Sequence, residues 1–168
     1  MIVKSFEINK INNSHKIFLF YGENEGHKNE IMEDKFKKKY TNSIYVYEEN
    51  EILKNQENFF NEILSKSFFE KEKLIIINRT TDKIKNLIDE IIEKKIDDII
   101  IILNSNSLEK KSKLRILFEK NKDLTCIAFY ADNNQTLNSI INFFFREKKI
   151  SISQQLINVL IERSRGDR

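Results

Sequence analysis

Proline and tryptophan are absent from this chain of 168 residues, glycine occurs three times, histidine twice and cysteine once. The one cysteine, Cys126, sits inside the apolar run Thr125 to Tyr130, so it reads as a small buried hydrophobe in mid-strand, neither half of a disulfide nor a nucleophile. His15 and His27 stand twelve residues apart with no cysteine beside them, which removes the common zinc sets and any Cys–His or Ser–His relay. Both are read as solvent-facing, His15 in a polar loop before the first strand and His27 at the opening of the first helix. The N-terminus mixes charges with apolar residues, and no apolar run approaches the ~20 residues that cross a bilayer. A soluble protein of a reducing, cytoplasmic compartment is expected. The 29 Lys and Arg exceed the 26 Asp and Glu by only three, too little for a protein built mainly to coat nucleic acid.

Lys, Asn, Ile and Phe are abundant, as AT-rich codons would produce, so lysine clusters are read first as solvated faces. Apolar residues make up 40% of the chain, enough for one packed α/β domain and a small appended element. Five strand-like runs, Ile17 to Tyr21, Ser43 to Tyr47, Lys73 to Ile77, Asp98 to Leu103 and Thr125 to Tyr130, alternate with segments of helical period. That alternation predicts a five-stranded parallel sheet flanked by helices. Ile84, Leu87, Ile88, Ile91 and Ile92 form the clearest helical stripe, behind Thr81 and Asp82 as caps. Glu25 to Tyr40 aligns Met32, Phe36 and Tyr40, and Asn55 to Ser65 aligns Phe59, Phe60, Ile63 and Leu64. Leu108 to Asn121 reads as a helix whose Lys110, Lys111, Lys113 and Arg115 spread over its outer surface, a solvated face or a contact with a partner or DNA. Two further helices follow, one through Leu137, Ile140, Ile141 and Phe144, the other capped by Ser153 and carrying Leu156, Ile157, Leu160 and Ile161. Gly166 is a stop for the last, and Asp167 would suit the cap of a helix still to come. The expected division is an α/β domain over residues 1–134 and the beginning of a helical domain over 135–168, cut short at Arg168.

The first strand runs into Gly22-Glu23-Asn24-Glu25-Gly26-His27-Lys28-Asn29, where a phosphate-binding loop would stand. Against GxxxxGK[S/T], Gly22 and Lys28 match. His27 replaces the second glycine, Asn29 replaces the hydroxyl that holds magnesium, and Glu23 and Glu25 add negative charge. The fourth strand ends in Asn104 and Ser105, where a nucleotide hydrolase needs acidic residues. A tight turn and helix entry are the simpler reading of this loop, with no metal and no cofactor expected; a nucleotide-binding ATPase with an atypical phosphate loop is the alternative. A nucleic-acid-binding module built on the lysine-rich helices is a second.

Several ordered segments resemble the delta subunit of bacterial DNA polymerase III. They are Phe18-Leu19-Phe20-Tyr21-Gly22-Glu23, Ser67-Phe68-Phe69 before Lys73-Leu74-Ile75-Ile76-Ile77, Leu108-Glu109-Lys110-Lys111-Ser112-Lys113-Leu114-Arg115, Ala128-Phe129-Tyr130, Ser151-Ile152-Ser153, Ile161-Glu162-Arg163 and Gly166-Asp167-Arg168. The resemblance implies an AAA+-like domain without a working nucleotide site, with the second, third, fourth, first and fifth strands side by side in that order. It implies a non-catalytic clamp loader subunit of the polymerase holoenzyme that binds and opens the sliding clamp (beta). It also implies assembly with the gamma/tau and delta prime subunits through a C-terminal domain, and only indirect or weak contact with DNA. In that family a hydrophobic pair before the third strand enters a pocket on the clamp. Phe68 and Phe69 hold those positions here, Phe68 where the family often has Leu. Without the resemblance, Phe68 would extend a buried 60, 64, 68 stripe; with it, the pair reads as an exposed wedge, since Ser65, Lys66 and Ser67 precede it and Glu70 to Lys73 follow.

Overall fold

The computed structural model describes residues 2–4, 15–40, 43–65, 72–94, 96 and 98–167. Its centre is a parallel sheet of six strands: β1 (Ile2–Lys4), β2 (Ile17–Gly22), β3 (Ile44–Glu48), β4 (Lys73–Asn78), β5 (Ile99–Ser105) and β6 (Leu124–Phe129). Across the sheet the order is β1-β6-β2-β5-β4-β3. The five expected strands therefore lie in the expected order, and β1 adds a sixth beside β6, with Ile2 opposite Cys126. Three residues with no alternating pattern gave no sign of it in the sequence.

Successive side chains in a strand point to opposite faces, and here both faces are covered. Leu19, Ile75, Ile77, Ile101, Leu103 and Cys126 face one core, closed by helices α3 (Gln56–Leu64), α4 (Lys85–Lys94) and α5 (Lys113–Lys120) through Phe59, Ile63, Leu87, Ile88, Ile91, Leu114 and Phe118. Phe18, Phe20, Leu74, Ile76, Ile102, Ile127 and Phe129 face the other, against Met32 and Phe36. Double coverage is why the central strands read as unbroken apolar runs. Edge strand β3 is the exception, with Val46 57% exposed. Cys126 is fully buried, and burial pushes its thiol up to about 12, the range of an inert core residue.

Three helices differ from their sequence reading. α1 (Glu25–Ile31) widens into a π turn over Met32–Phe36 and tightens into a 3₁₀ turn over Lys37–Lys39. Met32 and Phe36 keep their expected burial. α5 begins only at Lys113, so Lys110 and Lys111 precede it. Two side chains fix the start: Ser112 Oγ accepts from the Arg115 amide at 3.2 Å, while Asp82 Oδ1 accepts from Ser112 Oγ at 2.5 Å and from the Leu114 amide at 2.9 Å. Arg115, read as spread over the surface, turns inward instead, donating to Glu119 and the Leu108 carbonyl and lying 4.9 Å from the centre of the Tyr21 ring. α2 (Glu49–Lys54) was not anticipated, because Ile52 is its one buried apolar side chain; a reciprocal cap between Glu48 and Glu51 starts it.

α6 (Asn134–Glu147) and α7 (Gln154–Ser164) follow β6, capped by Asn133 and Ser153. They pack chiefly on each other; Leu137 and Ile157 are buried, while Phe143, Phe144, Leu156 and Val159 stay exposed. His15, read as solvent-facing, is half-buried with Nδ1 2.5 Å from Thr125 Oγ1. His27 sets its ring edge-on to Phe129. Among the described residues no helix is long and apolar enough to cross a membrane.

Candidate functional site

The loop after β2 is built from the strand end upward. Gly22 has φ +130°, and a Cβ there would lie 2.0 Å from the Phe129 carbonyl oxygen. Only glycine tolerates both the angle and the approach of β6. The Gly22 amide donates to the Asn106 carbonyl at 3.3 Å. Asn24 is buried, and its Oδ1 accepts from the His27 amide at 3.0 Å, capping α1. Its Nδ2 donates to Asp132 Oδ2 at 2.8 Å and to the Tyr130 carbonyl at 3.2 Å.

Lys28, at the position of a phosphate-binding lysine, is fully buried. Its ammonium donates to Glu25 Oε1 at 2.5 Å and to the Ser105 carbonyl at 2.8 Å. A buried charge is tolerated only when paired in this way, and the partners come from within the chain. Glu25, which the sequence marks as repelling an anion, is thus the lysine's counter-ion. Gly26 donates its amide to Asp167 Oδ1 at 2.7 Å. Asn29 is exposed. At the strand ends, Ser105 Oγ meets Thr80 Oγ1 at 2.5 Å, and Asn104 Nδ2 donates to Asn78 Oδ1 at 3.2 Å. Lys28 thus ties the degenerate loop to the strand end at Ser105, while Gly26, Asn104 and Ser105 take further partners in Asp167, Asn78 and Thr80. Among the described residues no cluster of His, Cys, Asp and Glu could hold a metal ion.

Phe68 and Phe69 lie outside the described residues, which stop at Ser65 and resume at Glu72. α3 ends at Leu64, with Phe59 and Ile63 buried and Leu64 44% exposed. The buried stripe therefore follows 59 and 63, and the 60, 64 line turns toward solvent. Lys73 opens β4 almost wholly buried, donating to the Ser65 carbonyl at 2.5 Å and the Glu62 carbonyl at 3.1 Å. Beside it, Glu72 accepts from Lys16 at 3.0 Å and from Tyr40 Oη at 2.9 Å. These bonds hold the Glu72 carboxylate below the usual range, and burial, with the hydrogen bond to Glu72, raises the Tyr40 phenol to about 12. Both ends of the segment that carries the two phenylalanines are thereby pinned to the sheet layer. Sequence reasoning missed Lys73 and Glu72; a lysine opening an otherwise apolar strand was the available signal.

The family model for the DNA polymerase III delta subunit matches residues 18–128. The structure is similar to the Bacillus subtilis DNA clamp loader delta protein (YqeN), with a TM-score of 0.56 and 14% identity, over 94% of this chain and 50% of that one. The chain thus spans half the length of that solved protein, with which it shares its AAA+-like fold. Domain III of the Thermotoga maritima replication initiation protein DnaA aligns with a TM-score of 0.48 and 13% identity, over 97% of this chain and 75% of that one. No curated protein sequence matches.

Proposed function

This chain belongs to the DNA polymerase III delta subunit family, and from that premise we propose that it binds the sliding clamp through Phe68 and Phe69 and favours the clamp's open form. The observation that supports the reading is at the described residues on either side: Glu72 is held by Lys16 and Tyr40, and Lys73 is bonded to the Ser65 carbonyl. A side chain delivered from a rigid mount loses less freedom on binding, so more of its burial energy appears as affinity. Two phenylalanines offer roughly 3 to 6 kcal/mol before the costs of association. That energy opens a ring only if the open form exposes a better pocket, since a ligand shifts a conformational equilibrium by its differential affinity alone.

The role we assign is that of a non-catalytic clamp loader subunit, with the clamp and the other loader subunits as partners and DNA reached indirectly. The engaged lysine supports this over the ATPase alternative, because Lys28 would have to abandon Glu25 and the Ser105 carbonyl to meet a phosphate. We further assign residues 135–168 to a helical unit separate from the α/β layers; the exposed Phe143, Phe144, Leu156 and Val159 suit helices that pack on more than each other.

Opening is tested with a clamp carrying a donor and an acceptor dye across one ring interface. Adding the chain without nucleotide should lower energy transfer at that interface. Unchanged transfer at saturating occupancy would remove opening from the proposal and leave binding.

A further inference from the structure

The motif Gly166-Asp167 lies outside the clamp contact proposed above, yet it reaches the loop after β2. Arg165 and Gly166 both adopt left-handed backbone, at φ +52° and +86°, and reverse the chain at the end of α7. Gly166 then lies so close to the 131–132 backbone that a Cβ would meet Ala131 Cβ at 3.1 Å and the Asp132 carbonyl oxygen at 3.2 Å. Its carbonyl accepts from the Asp132 amide at 2.8 Å. Asp167 Oδ1 accepts from the Gly26 amide at 2.7 Å. The intervening turn is bound from the other side, where the buried Asn24 donates to Asp132 Oδ2 and the Tyr130 carbonyl.

We infer that Gly166 and Asp167 form a latch, through which the end of α7 fastens the α6–α7 helix pair onto the vestigial phosphate loop. Because the pair packs chiefly on itself and leaves much of its apolar surface exposed, its attitude toward the sheet is set by short polar ties rather than by a broad interface. The carboxylate engages a loop amide of the kind that a nucleotide phosphate would draw on. The angle between the two parts is thereby held without nucleotide.

Amide hydrogen exchange tests this in the native chain and in Asp167→Ala. In the native chain the Gly26 and Asp132 amides should exchange at a common, protected rate, because one opening event frees both. Asp167→Ala should speed both by roughly 10- to 100-fold, the worth of a hydrogen bond to a charged group, although Asp167 Oδ1 touches only the first of them. The Leu19 and Ile101 amides, in β2 and β5, should not change. Acceleration at Gly26 alone would reduce the feature to a local hydrogen bond and overturn the latch, as would no change at either. Should the variant lose its core protection, the native comparison decides: unequal or unprotected rates at Gly26 and Asp132 also overturn it.

Discussion

Replacing Phe68 and Phe69 together by alanine should weaken clamp binding by roughly two to four orders of magnitude, the affinity equivalent of removing two buried aromatic anchors. The melting temperature should stay nearly where it is. That second half separates the wedge from a core role. The side of the sheet nearest α3 is already closed by Phe59 and Ile63, with Phe60 packed against them, and the stripe that would carry Phe68 inward has reached 44% exposure at Leu64. If both residues were core, their loss would cost roughly 3 to 5 kcal/mol each in stability, and binding and folding would fail together. Titration calorimetry with the clamp, beside a thermal melt of the same preparation, reads both halves. A variant that melts far below the native chain would return the pair to the core.

Gly22→Ala should destabilise the fold by roughly 2 to 5 kcal/mol, from a strained positive φ and overpacking against backbone. For a domain of this size that lowers the melting temperature by roughly 5 to 15 °C. The intruding Cβ would lie 2.0 Å from the Phe129 carbonyl oxygen and 2.7 Å from its carbon, and neither is the movable end of a side chain. The same glycine would be needed in a phosphate loop for a different reason, approach to a ligand. Loss of stability without nucleotide present assigns it to the packing of β2 on β6. A melting temperature within about 2 °C of the native value would refute that close approach.

Much of this fold was legible because the central strands are buried on both faces. Ile75 to Ile77 and Ile99 to Leu103 can be little else, and the stripe from Ile84 to Ile91 marks α4 plainly. What escaped reading has a physical cause in each case. β1 is too short to show a period, and α2 has a single buried apolar residue. α5 starts late because the Asp82 carboxylate, thirty residues earlier in the chain, meets the Ser112 hydroxyl and the Leu114 amide. The candidate site divides in the same way. Gly22 and Lys28 were visible through their spacing, and the loss of the second glycine and the hydroxyl could be read directly. The partners that fill the loop were not visible, since Ser105 and Asp167 lie 77 and 141 residues from the groups they meet. Lys73 reads as one more lysine in a lysine-rich chain until its ammonium is found on the Ser65 carbonyl.

In the role proposed above, this chain works through binding energy at the clamp, with no nucleotide of its own. Titrating the native chain into a bacterial sliding clamp, with and without ATP and magnesium, measures this directly. Saturable binding with the same affinity in both conditions is the predicted result. Absence of binding, or binding that appears only with ATP, would contradict it.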